Sequence, residues 1–123
     1  MKLILLGGEY QKDSQVCVGP FLREIASYFQ VHHFFMGMDG FDLKKGFTGV
    51  DVARIDAART LAESAQELNV LMDSSKFTNS QGILQFRLEE VDRVYTDTGI
   101  PQNISQALDQ AGVDLVQVPA EEE

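Results

Sequence analysis

A chain of 123 residues, 44% hydrophobic and 24% charged, has the composition of one soluble globular domain, able to bury about two-thirds of its unfolded surface around one core. Its net charge of -9 and pI near 4.5 argue against direct nucleic-acid contact, whose affinity comes from cations neutralising phosphates. No apolar run approaches the ~20 residues of a membrane-spanning helix, and the lone Cys17 excludes an intrachain disulfide and a Cys-based metal site.

In chain order, the apolar run 3–6 stops at Gly7-Gly8 and reads as a first strand, too short for the core of a signal peptide. Cys17, between Val16 and Val18, reads as a packed, inert thiol, and the chain as cytoplasmic. Gly19-Pro20 opens a helix with proline at a favoured first-turn position, and Phe21, Leu22, Ile25, Ala26 and Phe29 follow at helical spacing. Residues 33–36 before Gly37 predict the second strand. The spacing of Val52, Ile55, Ala58, Leu61, Ala65 and Leu68 predicts a helix over 51–68, with Thr48 and Asp51 at capping-box separation. Residues 70–72 before Asp73 form the third strand. Residues 74–90 lack a clean period and read as a long loop with at most a short helical turn. Strand 94–96, helix 101–111 ended by Gly112 at C′, and strand 113–118 complete the series. The domain is thus 1–119, followed by an acidic tail, 120–123.

Continuous apolar runs suit strands buried on both faces of a parallel sheet, and their alternation with helices predicts a three-layer α/β fold. Because the chain starts directly in a strand, the sheet reads as incomplete at its N-terminal side.

Open α/β sheets bind ligands beyond the carboxyl ends of their strands. Those positions hold Gly7 and Gly8, the loop 37–42, the loop 73–76 and the loop 97–99. Gly7, Gly8 and Gly37 allow backbone N–H groups close to a ligand. Thr48, Ser74 and Ser75 offer hydroxyls, and Lys76 a compact positive charge. Asp39 and Asp42 can accept hydrogen bonds from sugar hydroxyls, or act as a base next to a carbonyl. Each feature also has a plainer reading. Gly, Asp and Ser after a strand are turn formers, Lys44-Lys45 is a solvated pair, and His32-His33 a strand edge rather than a metal site. Phe34, Phe35, Phe41 and Phe47 read mainly as core. The recurrence of polar loops after successive strands favours a binding site.

The ordered set Leu5-Leu6-Gly7-Gly8, Gly19-Pro20, Phe35-Met36-Gly37-Met38-Asp39-Gly40-Phe41-Asp42, Gly46-Phe47-Thr48, Asp73-Ser74-Ser75-Lys76-Phe77 and Thr96-Asp97-Thr98-Gly99-Ile100-Pro101 resembles the carboxy-terminal effector domain of DeoR-type bacterial sugar-metabolism repressors. The stretch 19–42 is most similar to galactitol-operon-type repressors. The resemblance implies a sugar-phosphate-isomerase-like α/β fold whose pocket binds a phosphorylated sugar and releases the repressor from DNA. It also implies kinship with ribose-5-phosphate isomerases, whose Gly-x-Asp-x-x-Asp and Asp-x-Ser-Lys motifs match Gly37, Asp39 and Asp42, and Asp73, Ser75 and Lys76. By that likeness Asp39 and Asp42 face the sugar and Lys76 shares their pocket. The winged helix-turn-helix, the Ser-Gly-Thr-Thr-type phosphate loop and the strands around it have no counterpart in 1–123. A Glu usual near the start of the central helix is replaced by Ala53 or Arg54.

The sequence is therefore read as a truncated effector-binding and oligomerisation module, non-catalytic, without a cofactor or metal. It would touch neither membrane nor DNA, the latter reached only through a missing N-terminal domain. The effector site comprises Gly7, Gly8, Gly37, Asp39, Asp42, Thr48, Ser75 and Lys76. The alternatives are a sugar-phosphate isomerase with Asp39 or Asp42 as base, and a structural remnant that binds nothing.

Overall fold

The computed structural model describes residues 1–119, so the acidic tail 120–123 lies outside the described residues. Strands Glu9–Gln11 (β1) and Val16–Val18 (β2) form an antiparallel hairpin that leads into helix Pro20–Ala26 (α1), with Pro20 in its first turn. Strand Val31–Gly37 (β3) follows, then two short strands, Gly40–Asp42 (β4) and Gly46–Gly49 (β5), and helix Val52–Glu63 (α2). Strand Ala65–Leu71 (β6) runs into a 3₁₀ turn, Ser74–Thr78, and strand Ile83–Arg87 (β7) into another, Leu88–Glu90. Strand Arg93–Asp97 (β8), helix Gln102–Gln110 (α3) and strand Asp114–Val118 (β9) close the series.

The expected parallel sheet is present, in the order β3-β6-β8-β9. A second, antiparallel sheet in the order β4-β5-β7 packs over it. One core joins them. Val70, Val94 and Leu68 from the parallel sheet meet Phe47 and Phe86 from the antiparallel one, Ala58 of α2, and Ile104 and Leu108 of α3. Phe41, Phe47 and Phe77 make an edge-to-face triad, with ring centroids 5.1–6.3 Å apart.

Among the described residues the helices and the second sheet cover one face of the parallel sheet. The opposite face carries Phe35, Leu71 and Val118, all about half exposed (48–50%), and a row of ionisable groups. There Glu67 lies 3.5 Å from His33 and 3.4 Å from Arg93, which reaches Asp114 at 3.7 Å. Phe35 was expected in the core; strand alternation puts its neighbours Phe34 and Met36 there instead.

Several boundaries differ from expectation, each for a reason beyond local pattern. Residues 3–6 are not a strand: they pair with no described strand, and Leu3 and Leu5 are exposed. An apolar run supplies side chains for a sheet, but the backbone stays extended and ordered only against a hydrogen-bonding neighbour. The helix expected to reach residue 68 ends at Glu63, because Ala65–Leu71 pairs along β3 instead and buries Leu68 from a strand. Its N-cap is Asp51 itself, whose carboxylate accepts the Ala53 and Arg54 N–H groups at 3.0 and 3.3 Å, rather than a Thr48–Asp51 box. The stretch 74–90, read as loop, contains β7, whose Gln85 and Phe86 are buried against β5. Gly112 takes the C′ position expected of it, with φ +80°.

Candidate functional site

Parallel pairing sets the carboxyl ends of β3, β6 and β8 side by side: Gly37 pairs with Leu71, and Leu71 with Tyr95. The loops that follow these strands are knitted together. Asp97 accepts the Ser74 N–H at 3.0 Å from the neighbouring loop and the Gly99 N–H at 2.8 Å from its own. The Ser74 hydroxyl and N–H, with the Gly99 N–H, hold the Asp97 carboxyl down to about 2. Asp73 caps the adjoining 3₁₀ turn, accepting the Ser75 hydroxyl at 3.0 Å and its N–H at 3.3 Å. That turn is tied in its turn to the β3–β4 loop. Phe41 donates its N–H to the Asn79 carbonyl at 2.8 Å, and the Asn79 amide reaches the Asp39 carbonyl at 3.4 Å.

Gly40 lets this junction close. A Cβ there would stand 2.4 Å from the Asn79 carbonyl oxygen and 2.7 Å from the Thr48 hydroxyl. No side chain fits.

Between the β3 end, β5 and α2 lies a cavity of about 140 Å³, open on one side. Its polar lining is Asp39, Asp51, Arg54 and Gln85; Phe34, Met36, Ile55 and Ala58 supply apolar wall, and Cys17 reaches it from the hairpin. The volume is close to the ~150 Å³ that accepts a benzene-sized guest, so it accommodates one end of a sugar-sized ligand rather than all of it. Gln85 is 5% exposed. Its amide nitrogen donates only to the weak Met36 sulfur acceptor, at 3.6 Å, and its amide oxygen accepts nothing from the described residues.

The residues singled out from the sequence separate into groups. Gly37 and Asp39 line the cavity. Thr48 is buried in β5, within the antiparallel sheet, its hydroxyl donating to the Gln81 carbonyl at 3.1 Å. Asp42 closes the β4–β5 turn: its carboxylate accepts the Lys44 and Lys45 N–H groups at 2.9 and 3.0 Å, and these hold its carboxyl below the ordinary range. Ser75 and Lys76 stand exposed on the 3₁₀ turn next to the β3–β4 loop. Gly7 and Gly8 pack near α1, Gly8 against the Val18 carbonyl, Leu22 and Cys17.

Three residues outside the expected set belong to this region: Asp97, Arg54 and Gln85. Asp97 had a visible signal, a polar turn after an apolar run. Arg54 had one too, as a charge in the first turn of a helix that follows a glycine-rich strand. Gln85 has none, because residues 74–90 show no strand period in the sequence.

Comparison with known proteins agrees with this architecture. The family model described as the DeoR C terminal sensor domain matches residues 1–98. The chain is 29% identical over 120 residues to a protein of Escherichia coli O157:H7 named as an aga operon transcriptional repressor, covering 96% of this chain and 44% of that one. It is 28% identical over 121 residues to the HTH-type transcriptional regulator UlaR of Escherichia coli O1:K1 / APEC, covering 94% and 45%. It is 25% identical over 107 residues to the glycerol-3-phosphate regulon repressor of Escherichia coli K12, covering 87% and 42%. The chain thus spans less than half the length of these relatives.

Proposed function

Because this chain belongs to the DeoR C-terminal sensor domain family, we propose that it is the sensing part of a transcriptional repressor of sugar or polyol catabolism, and that it binds a phosphorylated sugar or polyol at the loops after β3, β6 and β8. The observation that carries this reading is the cross-linking of those loops by Asp97, Ser74, Asn79 and Asp39 beside an open, polar-lined cavity. Strand-end loops of a parallel sheet, held at fixed spacing, are where such folds take polar ligands. Asp39 receives ligand hydroxyls, Gly37 lets the ligand lie close to the backbone, and Ser75 and Lys76 reach it from the adjoining turn.

A ligand that bridges these loops favours one arrangement of them. Its binding is then coupled to DNA affinity residing elsewhere in the full repressor, reciprocally and by the same factor. Self-association belongs to the same reading, supported by the apolar side chains of Phe35, Leu71 and Val118 on the uncovered sheet face. With net charge -9, this part does not itself grip DNA. No helix among the described residues is long and apolar enough to cross a membrane, in keeping with a regulator acting in the cytoplasm.

The isomerase reading is the weaker one. Asp42, one of its two candidate bases, is engaged in a turn that lowers its proton affinity, and a good general base titrates near the working pH. The named relatives are regulators.

Thermal unfolding in the presence of phosphorylated hexoses, pentoses and hexitols tests the proposal, with galactitol 1-phosphate first in the panel because of the likeness in 19–42. A ligand of the folded state raises the midpoint by mass action. A rise with phosphorylated members and none with sodium chloride at matched ionic strength is expected; no rise with any member at millimolar concentration overturns the reading.

A further inference from the structure

Every arginine among the described residues except Arg54 sits in an ion pair: Arg23 with Asp56, Arg59 and Arg87 with Glu90, and Arg93 with Glu67 and Asp114. Arg54 lines the cavity, half-buried, and its guanidinium makes no ion pair or hydrogen bond with the described residues. The two carboxylates of the same lining leave it free for different reasons. Asp51 is engaged with the first N–H groups of α2, and Asp39 stands on the β3–β4 loop without forming a salt bridge to it. The position is also unfavourable for the helix, since a cation in the first turn opposes the helix dipole. A free guanidinium with no structural partner, at a place where it disfavours its own helix, calls for a partner that is not part of the fold.

We infer that Arg54 is the anion anchor of the cavity, holding the phosphate or another acidic group of the ligand, with the Gln85 amide as its neighbour in the lining. The inference rests on the sensor reading and deepens it, because it fixes the ligand's polarity. The acidic end enters the cavity under α2, and the hydroxylated part extends past Asp39 toward the loop that carries Lys76. The cavity volume matches this division, having room for one end of the ligand. Guanidinium suits the task because its planar donors meet two oxygens of a phosphate or carboxylate at once. The charge selects an acidic ligand over its neutral parent, a discrimination that Lys76, exposed on the 3₁₀ turn, does not supply by itself.

The test is calorimetric titration of the full chain with galactitol 1-phosphate, galactitol and inorganic phosphate, for the unaltered protein, Arg54→Gln, Arg54→Lys and Lys76→Gln. Arg54→Gln is expected to weaken galactitol 1-phosphate and inorganic phosphate by about tenfold or more, the scale of one charge-assisted contact, while leaving galactitol unchanged. Its thermal midpoint without ligand should equal or slightly exceed that of the unaltered chain, since no partner is lost and a cation opposing the α2 dipole is removed. Arg54→Lys should fall between, and the salt dependence of phosphate binding should flatten in Arg54→Gln. Equal affinity in Arg54→Gln and the unaltered chain overturns the anchor while leaving the sensor reading intact. A larger loss in Lys76→Gln than in Arg54→Gln also overturns it. Binding of none of the three by the unaltered chain, with no response to the wider panel, overturns both.

Discussion

The Asp97 carboxylate at the end of β8 accepts the backbone N–H of Ser74, 23 residues earlier in the chain and at the end of the neighbouring β6, at 3.0 Å. This single contact makes two strand-end loops one unit and sets their spacing at the carboxyl edge of the parallel sheet. Its titration gives a pH signature. In the unfolded chain the group titrates near its ordinary 3.8, and in the folded chain at about 2. The contribution is therefore fully present above about pH 4 and is lost as pH falls toward 2. Asp97→Asn should unfold at a lower temperature than the unaltered chain at pH 6, and the gap should narrow progressively between pH 4 and pH 2. A constant gap in scanning calorimetry over that range would mean that the bond to Ser74 does not depend on charge.

Phe47, with no exposed surface, is the contact between the two sheets and a member of the aromatic triad. Phe47→Ala should lose about 3–5 kcal/mol of stability, read as a lower urea midpoint. Because Thr48 and Gly49 share its strand, ligand-induced stabilisation should fall in the same variant.

The Asp51 side chain begins α2 and borders the cavity. Asp51→Ala should cost about 1 kcal/mol as a lost N-cap, measured by urea unfolding. Asp51→Asn or Asp51→Ser should restore most of it, since either side chain can accept the Ala53 N–H.

Asn69, on the uncovered face of the sheet, is wholly buried, yet its amide has no hydrogen-bond partner among the described residues. It pairs in register with Phe35, whose ring lies 6.3 Å from that of Tyr95. An unsatisfied buried polar group costs about 1–3 kcal/mol, so Asn69→Leu should raise the urea midpoint by an amount in that range. A lower midpoint would show that the amide has a partner in solution.

The strand-end motifs were legible for a physical reason. Glycine and aspartate after an apolar run mark where a buried strand must stop, and parallel order forces all such stops to one edge. The resemblance added which edge residues to watch. Side-chain direction was not legible. Asp39 and Asp42 lie three residues apart with the same chemistry, yet one borders a cavity and the other binds its own turn.

By itself, then, the sequence determined the alternation of helices with the strands β3, β6, β8 and β9, the stops at Gly37, Asp73 and Asp97, and the caps at Pro20 and Gly112. These depend on periodicity and backbone preference, which are local. Only the tertiary structure decided that residues 3–6 find no pairing partner among the described residues, that β4, β5 and β7 form a second sheet, and that the strand stopping before Asp73 begins as early as Ala65. It alone brought Arg54, Gln85 and Asp39 around one cavity. Those outcomes depend on which backbone groups and side chains meet across tens of residues, and no local spacing records that meeting.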